Sequence, residues 1–198
     1  MNVVDLTHPL TPQAPSHEGD PPVTLARAAS HEADGYQVTA VGLGSHSGTH
    51  LDAPRHFFPD GATLDDYPVA RLVRPGWVLD ARPPRPEARV RAALLAEQLR
   101  GTHLNAGDFL LLWTGGALLA EDCAVVLLES GAGLVGTDAA SLDDHPYPIH
   151  QVLLGEGVLL AENLANLDRL GTGRVICAFL PLAIPEADGA PVRAVAWR

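Results

Sequence analysis

The sequence predicts one compact α/β domain with more strand than helix. Three observations carry that expectation. Compact apolar runs such as "GWVLDA", "DFLLLWT" and "RVICAFLPLAI" are the kind found in well-buried strands. Helix-periodic stretches lie between them, so strand and helix alternate in a mixed order. The 198 residues contain no internal repeat and no linker, and suffice for one domain with a real core but are short for two. The expected unit is residues 1–198.

Taken in order, "NVVDL" is a short strand pattern. "THPLTPQAPSHEGDPPV" must be loop, because proline lacks the N–H and the steric freedom that strand and helix interiors require. "YQVTAVGLGSH" alternates and is β-branched, which predicts a strand over 36–44. "GWVLDA" is the next strand. "PEARVRAALLAEQLRG" then predicts a helix that opens at Pro86 and stops at Gly101, with Val90, Leu94, Leu95 and Leu99 facing the core. "DFLLLWT" is a strand, and "EDCAVVLLESG" a helix closed by Gly131. "GLVGTDAASLDDHPYP" reads as a short strand and a loop. "IHQVLLGEGVLLAENLANL" reads as a helix turn, a reversal at Gly155–Gly157, a strand and a polar loop. "RVICAFLPLAI" and "VRAVAWR" close the chain as strands.

Composition excludes several classes of function. The hydrophobic fraction is 46% and the charged fraction 19%, which argues against disorder. Thirteen Lys and Arg against 24 Asp and Glu give a net charge of −11, a field that repels nucleic acid and favours solubility. No basic amphipathic stretch suggests a membrane surface. No apolar run has the length of a bilayer span, and "MNVVDLTHPL" lacks the features of a secretory signal. The expected location is the cytoplasm. Cys123 and Cys177 have no C-x-x-C spacing and read as small buried hydrophobes in a reducing compartment.

Chemistry concentrates in residues 46–56, "HSGTHLDAPRH". His46, His50, Asp52 and His56 are separated by even steps, so an extended chain would turn them to one face. A helix would place Asp52 about 200° from His50. Full extension would also hold His46 and His50 about 13 Å apart at Cα, too far for one ion that imidazoles bind at ~2 Å. The chain must therefore bend between them, and Gly48 is where it can. Imidazole and carboxylate suit zinc or manganese, and a carboxylate can bridge two ions. His56, beyond Pro54, stands where a general acid or base would. Partners must come from downstream. His150 and Glu162 are candidates, and so are His145, Asp138, Asp143 and Asp144; spacing alone does not choose between His145 and His150. Glu162 ends an apolar run, where a carboxylate is costly unless paired or metal-bound.

"HSGTHLDAPRHF" resembles the H-x-G-T-H-x-D-x-P-x-H-F signature of the metal-dependent cyclase-type hydrolases, which include bacterial kynurenine formamidases and isatin hydrolases. "DLTHPLTP", "GLVGTDAASLD" and "IHQVLLGEGVLLAENLANL" resemble other segments of that family, so the likeness covers most of the chain. It implies a swivelling β/β/α fold and a homo-oligomer, a homodimer or homotetramer. It implies two zinc or manganese ions per chain. His46, His50 and Asp52 would bind the first, and Asp52 would bridge to a second held by His150 and Glu162. The family's twelve-residue spacing selects His150 over His145. His56 would be the catalytic acid/base.

The implied reaction is hydrolysis of a small-molecule amide, N-formyl-L-kynurenine and water giving L-kynurenine and formate. The chain departs from the formamidase pattern at "HEGD", residues 17–20, where an aromatic "WPGD" is usual, and at "WTGG", residues 113–116, in place of "RTG". Trp113 could replace the missing aromatic surface. Two alternatives therefore stand beside the formamidase reading. One is hydrolysis of a cyclic amide such as isatin, or of a lactone. The other is a metal- or ligand-binding protein without catalysis.

Overall fold

The computed structural model describes residues 2–14, 19–85 and 88–198. Among the described residues ten strands and five α-helices follow one another as β1 (Val3–Asp5), β2 (Thr24–Ala29), α1 (His31–Asp34), β3 (Val38–Gly42), β4 (His50–Asp52), β5 (Val73–Asp80), α2 (Ala92–Leu99), β6 (Phe109–Trp113), α3 (Cys123–Glu129), β7 (Leu134–Thr137), α4 (Pro148–Gly155), β8 (Leu159–Glu162), α5 (Leu167–Leu170), β9 (Gly173–Pro181) and β10 (Gly189–Trp197).

The main sheet runs β1-β10-β4-β8-β7-β6-β5-β9, and β9 also pairs with β10. That second pairing closes seven strands into a barrel, with β1 added outside the ring. The mixed, strand-rich α/β expectation holds. Strands β5 to β8 are parallel neighbours. Parallel neighbours need a crossover, and α2, α3 and α4 supply the three. The remaining barrel pairs are antiparallel.

The period-two alternation of the strands divides the apolar residues into two cores. One contains Leu51, Val78, Leu111, Leu134, Ala161, Cys177, Phe179 and Ala194, drawn from all seven barrel strands, and is the barrel interior. The other joins Leu79, Leu112, Val135 and Leu160, the outward residues of β5–β8, to Leu95, Cys123, Leu127 and Leu153 of the crossover helices. Cys177 and Cys123 thus lie in different cores. Both thiols are free, and burial pushes each up to about 12, so they pack as apolar groups.

Two expectations need correction. The helix foreseen from Pro86 spans only Ala92–Leu99; Pro86 itself lies outside the described residues. Val90 cannot be helical because its N–H donates to Leu118 O and its carbonyl accepts from Ala120 N, in a bridge to Leu119. The helix also stops before Gly101. The strand foreseen over 36–44 spans Val38–Gly42 and pairs only with β2, a strand the sequence reading left as unassigned chain. No residue of this ribbon is buried, and Leu25, Val38 and Val41 are exposed. Gly131 does close α3, with φ 72°, and Gly157 reverses the chain after α4 with φ 76°.

Candidate metal centre

His50 and Asp52 lie two residues apart on β4, and Glu162 ends β8 directly opposite His50 in the antiparallel register. Between them Leu51 and Ala161 point into the barrel. Parity therefore turns His50, Asp52 and Glu162 outward together, and α4 brings His150 over them. All four are buried. The even spacing of the signature acts only on His50 and Asp52. His46 lies in the turn before β4, and His56 in a 3₁₀ turn over Pro54–His56. The bend expected at Gly48 is present, with φ 64°. A Cβ there would also lie 2.8 Å from Leu10 Cδ2.

Asp52 stands between two groups of donors. Its Oδ1 is 2.7 Å from His46 Nδ1 and 3.3 Å from His50 Nε2, while its Oδ2 is 3.7 Å from His150 Nε2. Glu162 Oε1 is 3.1 Å from His150 Nε2, and Oε2 is 3.5 Å from His50 Nε2. Three sets of donors could each close on a metal ion, with the ligand atoms of each within 4.8 Å of one another: His46/His50/Asp52, Asp52/His150/Glu162 and the more exposed His46/His56/Asp188.

The far nitrogen of each of these histidines is held by an acceptor. His50 Nδ1 donates to Gly48 O at 2.8 Å, His150 Nδ1 to Asp143 Oδ1, and His46 Nε2 to Asp188 Oδ2 at 2.9 Å. Such contacts fix ring orientation and turn the other nitrogen of each ring toward the carboxylates, where a bound ion could replace its proton. Asp143 is itself fixed by Ile149 N–H, and Glu162 Oε1 accepts from Ser141 Oγ–H and Leu142 N–H. Asn163 Nδ2 donates to Gly48 O, tying the bend to the end of β8.

The charges test whether this pocket suits a cation. Burial would depress His150, but its bonds to Asp143 and Glu162 prevail and raise it to about 10. His50 is likewise raised well above its ordinary value, burial being outweighed by Asp52 and Glu162. Burial pushes Asp52 up, yet His50 and His46 hold it well below the carboxylate range. The buried carboxylates thus demand positive charge within the pocket. Protons supply it on the imidazoles, and a divalent ion on these N and O donors would supply it better. The donor set fits a metal.

His56 differs from the others. Its side chain is 33% exposed, and its ring lies 3.9 Å, centroid to centroid, from that of His46. Burial first, then the His46 charge, lower its pKa. Asp188 Oδ2 lies 3.5 Å from its Nδ1. Asp188 was not among the residues singled out from the sequence, since an acid in "PEADGAP" looks like ordinary turn chemistry. Phe57 and Tyr147 pack edge to face at 5.7 Å beside His150 and form an aromatic wall. The Phe57 signal was present, next to His56 in the signature.

The remaining candidates sort differently. His145 is exposed and packs on Tyr147, and Asp144 pairs with Arg89 at the surface. Asp138 accepts from Thr114 and Gly115. One face of Trp113 is covered by the Arg82 guanidinium, 3.7 Å over its ring. His17 and Glu18 of "HEGD" lie outside the described residues. Among the described residues no helix is long and apolar enough to cross a membrane.

Known proteins share this arrangement of chain. The kynurenine formamidase of Bacillus cereus is 32% identical over 207 residues, covering 97% of this chain and 95% of the relative. That of Salinibacter ruber is 32% identical over 212 residues, covering 98% and 97%. Among solved structures, an isatin hydrolase bound to the product analogue thioisatinate superposes with a TM-score of 0.86 at 26% identity, over 98% of this chain and 91% of that one. A potential metal-dependent hydrolase with cyclase activity gives 0.81 at 27% identity, over 98% and 96%. The Cyclase family profile matches residues 4–144. With that match and these relatives, the chain belongs to the cyclase family.

Proposed function

We propose that this protein is a metal-dependent hydrolase of C–N amide bonds of the kynurenine formamidase type, converting N-formyl-L-kynurenine and water to L-kynurenine and formate. The carrying observation is Asp52, whose two oxygens address two separate donor groups. In this reading His46, His50 and Asp52 hold one divalent ion, zinc or manganese. Asp52, His150 and Glu162 hold a second. Ions bound there supply Lewis acidity that makes water nucleophilic near neutral pH. The chain's own residues do the rest. Asp143, Asp188 and the Gly48 carbonyl orient the imidazoles. His56, neutral near pH 7 because its pKa is lowered, accepts a proton from the attacking water and returns it to the leaving nitrogen. Phe57 and Tyr147 offer the aromatic part of a substrate a flat apolar surface.

The likeness to an isatin hydrolase supports a second reading, opening of a cyclic amide by the same residues. The protein is proposed to act as one domain over residues 1–198, in the cytoplasm, as a homodimer or homotetramer. The exposed apolar residues of the β2–β3 ribbon support association of copies.

Metal analysis of purified protein should find two ions per chain, and one or fewer overturns the binuclear reading. N-formylkynurenine and isatin assayed side by side decide between the substrates. Turnover of neither sinks both and moves the reading to another small amide or a lactone. His56→Ala should keep both ions and lose about 10²–10⁴-fold in kcat. Loss of an ion would make His56 a ligand instead.

A further inference from the structure

Asp188 touches both His46 and His56, yet lies outside the signature motif. It sits in the turn between β9 and β10, which is pinned to the site from three sides. Ala53 N–H donates to Asp188 O, Leu64 N–H to Ala187 O, and Glu186 N–H to Asp65 Oδ1. The next residue, Gly189, presses on His46 so closely that a Cβ would lie 2.5 Å from the His46 Cε1 and 2.7 Å from Leu51 O. The turn is thus a rigid mount, and the Asp188 carboxylate is aimed by backbone that cannot retreat.

One oxygen of that carboxylate serves two rings. Asp188 Oδ2 is 2.9 Å from His46 Nε2, a hydrogen bond, and 3.5 Å from His56 Nδ1, an ion-pair distance. The rings themselves are tilted by 34° and nearly in contact. A carboxylate can only accept here, so Asp188 holds a proton on His46 Nε2, while Asp52 Oδ1, 2.7 Å from Nδ1, holds one there that a bound ion would replace. The charge of the same oxygen, 3.5 Å away, favours a proton on His56 Nδ1, which would leave Nε2 as the nitrogen that exchanges a proton.

We propose that Asp188 is a positioning residue that sets His46 and His56 relative to each other, so that one carboxylate orients both a metal-side imidazole and the proton-transfer imidazole. The assignment rests on the roles given to those two histidines in the hydrolase reading.

The test uses the full-length holoenzyme and its chelator-stripped form, comparing wild type with Asp188→Ala and Asp188→Asn, each also in a His56→Ala background. Asp188→Ala should weaken zinc affinity, measured by chelator competition, about 10–100-fold while stoichiometry at saturation is kept. In ¹⁵N NMR of histidine-labelled protein, His56 should lose its preference for the Nδ1–H form. With a turned-over amide, kcat should fall and KM change little, and Asp188→Asn, which keeps an acceptor oxygen, should restore part of both properties. In the His56→Ala background the substitution should lower kcat no further while still weakening zinc. Unchanged zinc affinity or an unchanged His56 tautomer overturns the proposal. So does loss of one ion per chain, which would make Asp188 a ligand. If wild type hydrolyses no amide, the hydrolase reading fails, while the affinity and NMR measurements still decide the role of Asp188.

Discussion

At the scale of single residues, the candidate centre is a buried cluster of imidazoles and carboxylates in which the carboxylates demand positive charge. In the metal-free protein His150 is raised to about 10 and His50 is also raised well above its ordinary value. Both are then protonated at pH 7, so binding of zinc should expel protons. Titration calorimetry in buffers of different ionisation enthalpy should read that release, and none would mean the imidazoles were already neutral. The same shift fixes a stability profile. A folded-state pKa above the unfolded value of about 6.5 contributes stability that is complete below that value and lost as pH rises toward 10. The Tm of the metal-free protein should therefore fall between pH 6.5 and about 10, and saturating zinc should flatten the fall. Asp143→Ala frees His150 Nδ1 and should weaken metal binding about 10–100-fold by chelator competition, with little change in the pairing of β4 and β8. His46, His50, Asp52 and Gly48 were legible in the sequence because their types and spacing are local properties. Asp143 was one acid among several although its contacts to Ile149 and His150 are close in sequence, and Asp188 had no local signal at all, since it meets His46 from a distant part of the chain.

Secondary-structure elements were legible where the apolar pattern was long. Strands β5, β6, β9 and β10 and helix α3 lie where the sequence places them, within a few residues at their ends. Helix α2 was foreseen six residues too early because the apolar period continues through Val90, while tertiary hydrogen bonds draw Val90 into a bridge with Leu119. Strand β4 is only three residues long and owes its existence to neighbours on both sides, β10 and β8. Inside the barrel Phe179 of β9 meets Phe109 of β6 edge to face at 5.7 Å. Phe179→Ala should destabilise the protein by about 3–5 kcal/mol in denaturant unfolding, with zinc stoichiometry kept in the folded fraction. A loss below 1 kcal/mol would mean that the interior collapses to fill the space. At the close approach beside His46, Gly189→Ala should disturb the first donor group more than the second. Glu162→Ala should do the reverse, and spectroscopy of a cobalt-substituted protein separates the two.

For the whole molecule, seven-strand closure was not legible in the sequence, although a mixed, strand-rich core was. Closure depends on β9 and β10 pairing with each other while β10 also takes β4, and no local pattern encodes which strands meet. The arrangement has a consequence for synthesis. His50 pairs with Pro191 on one side and Glu162 on the other, so the signature strand has no complete seat until the final strand exists. On the ribosome, the histidines at positions 46 and 50 emerge first and must wait for nearly the entire chain before they are locked. Pairing across such sequence distance is slow. A nascent chain halted after Pro181 should hold zinc weakly, and release of the last seventeen residues should switch tight binding on. Tight binding by the halted chain would show that the site matures without its closing strand. The candidate metal site is in this sense completed by β10, at the far end of the sequence from the segment that carries its signature.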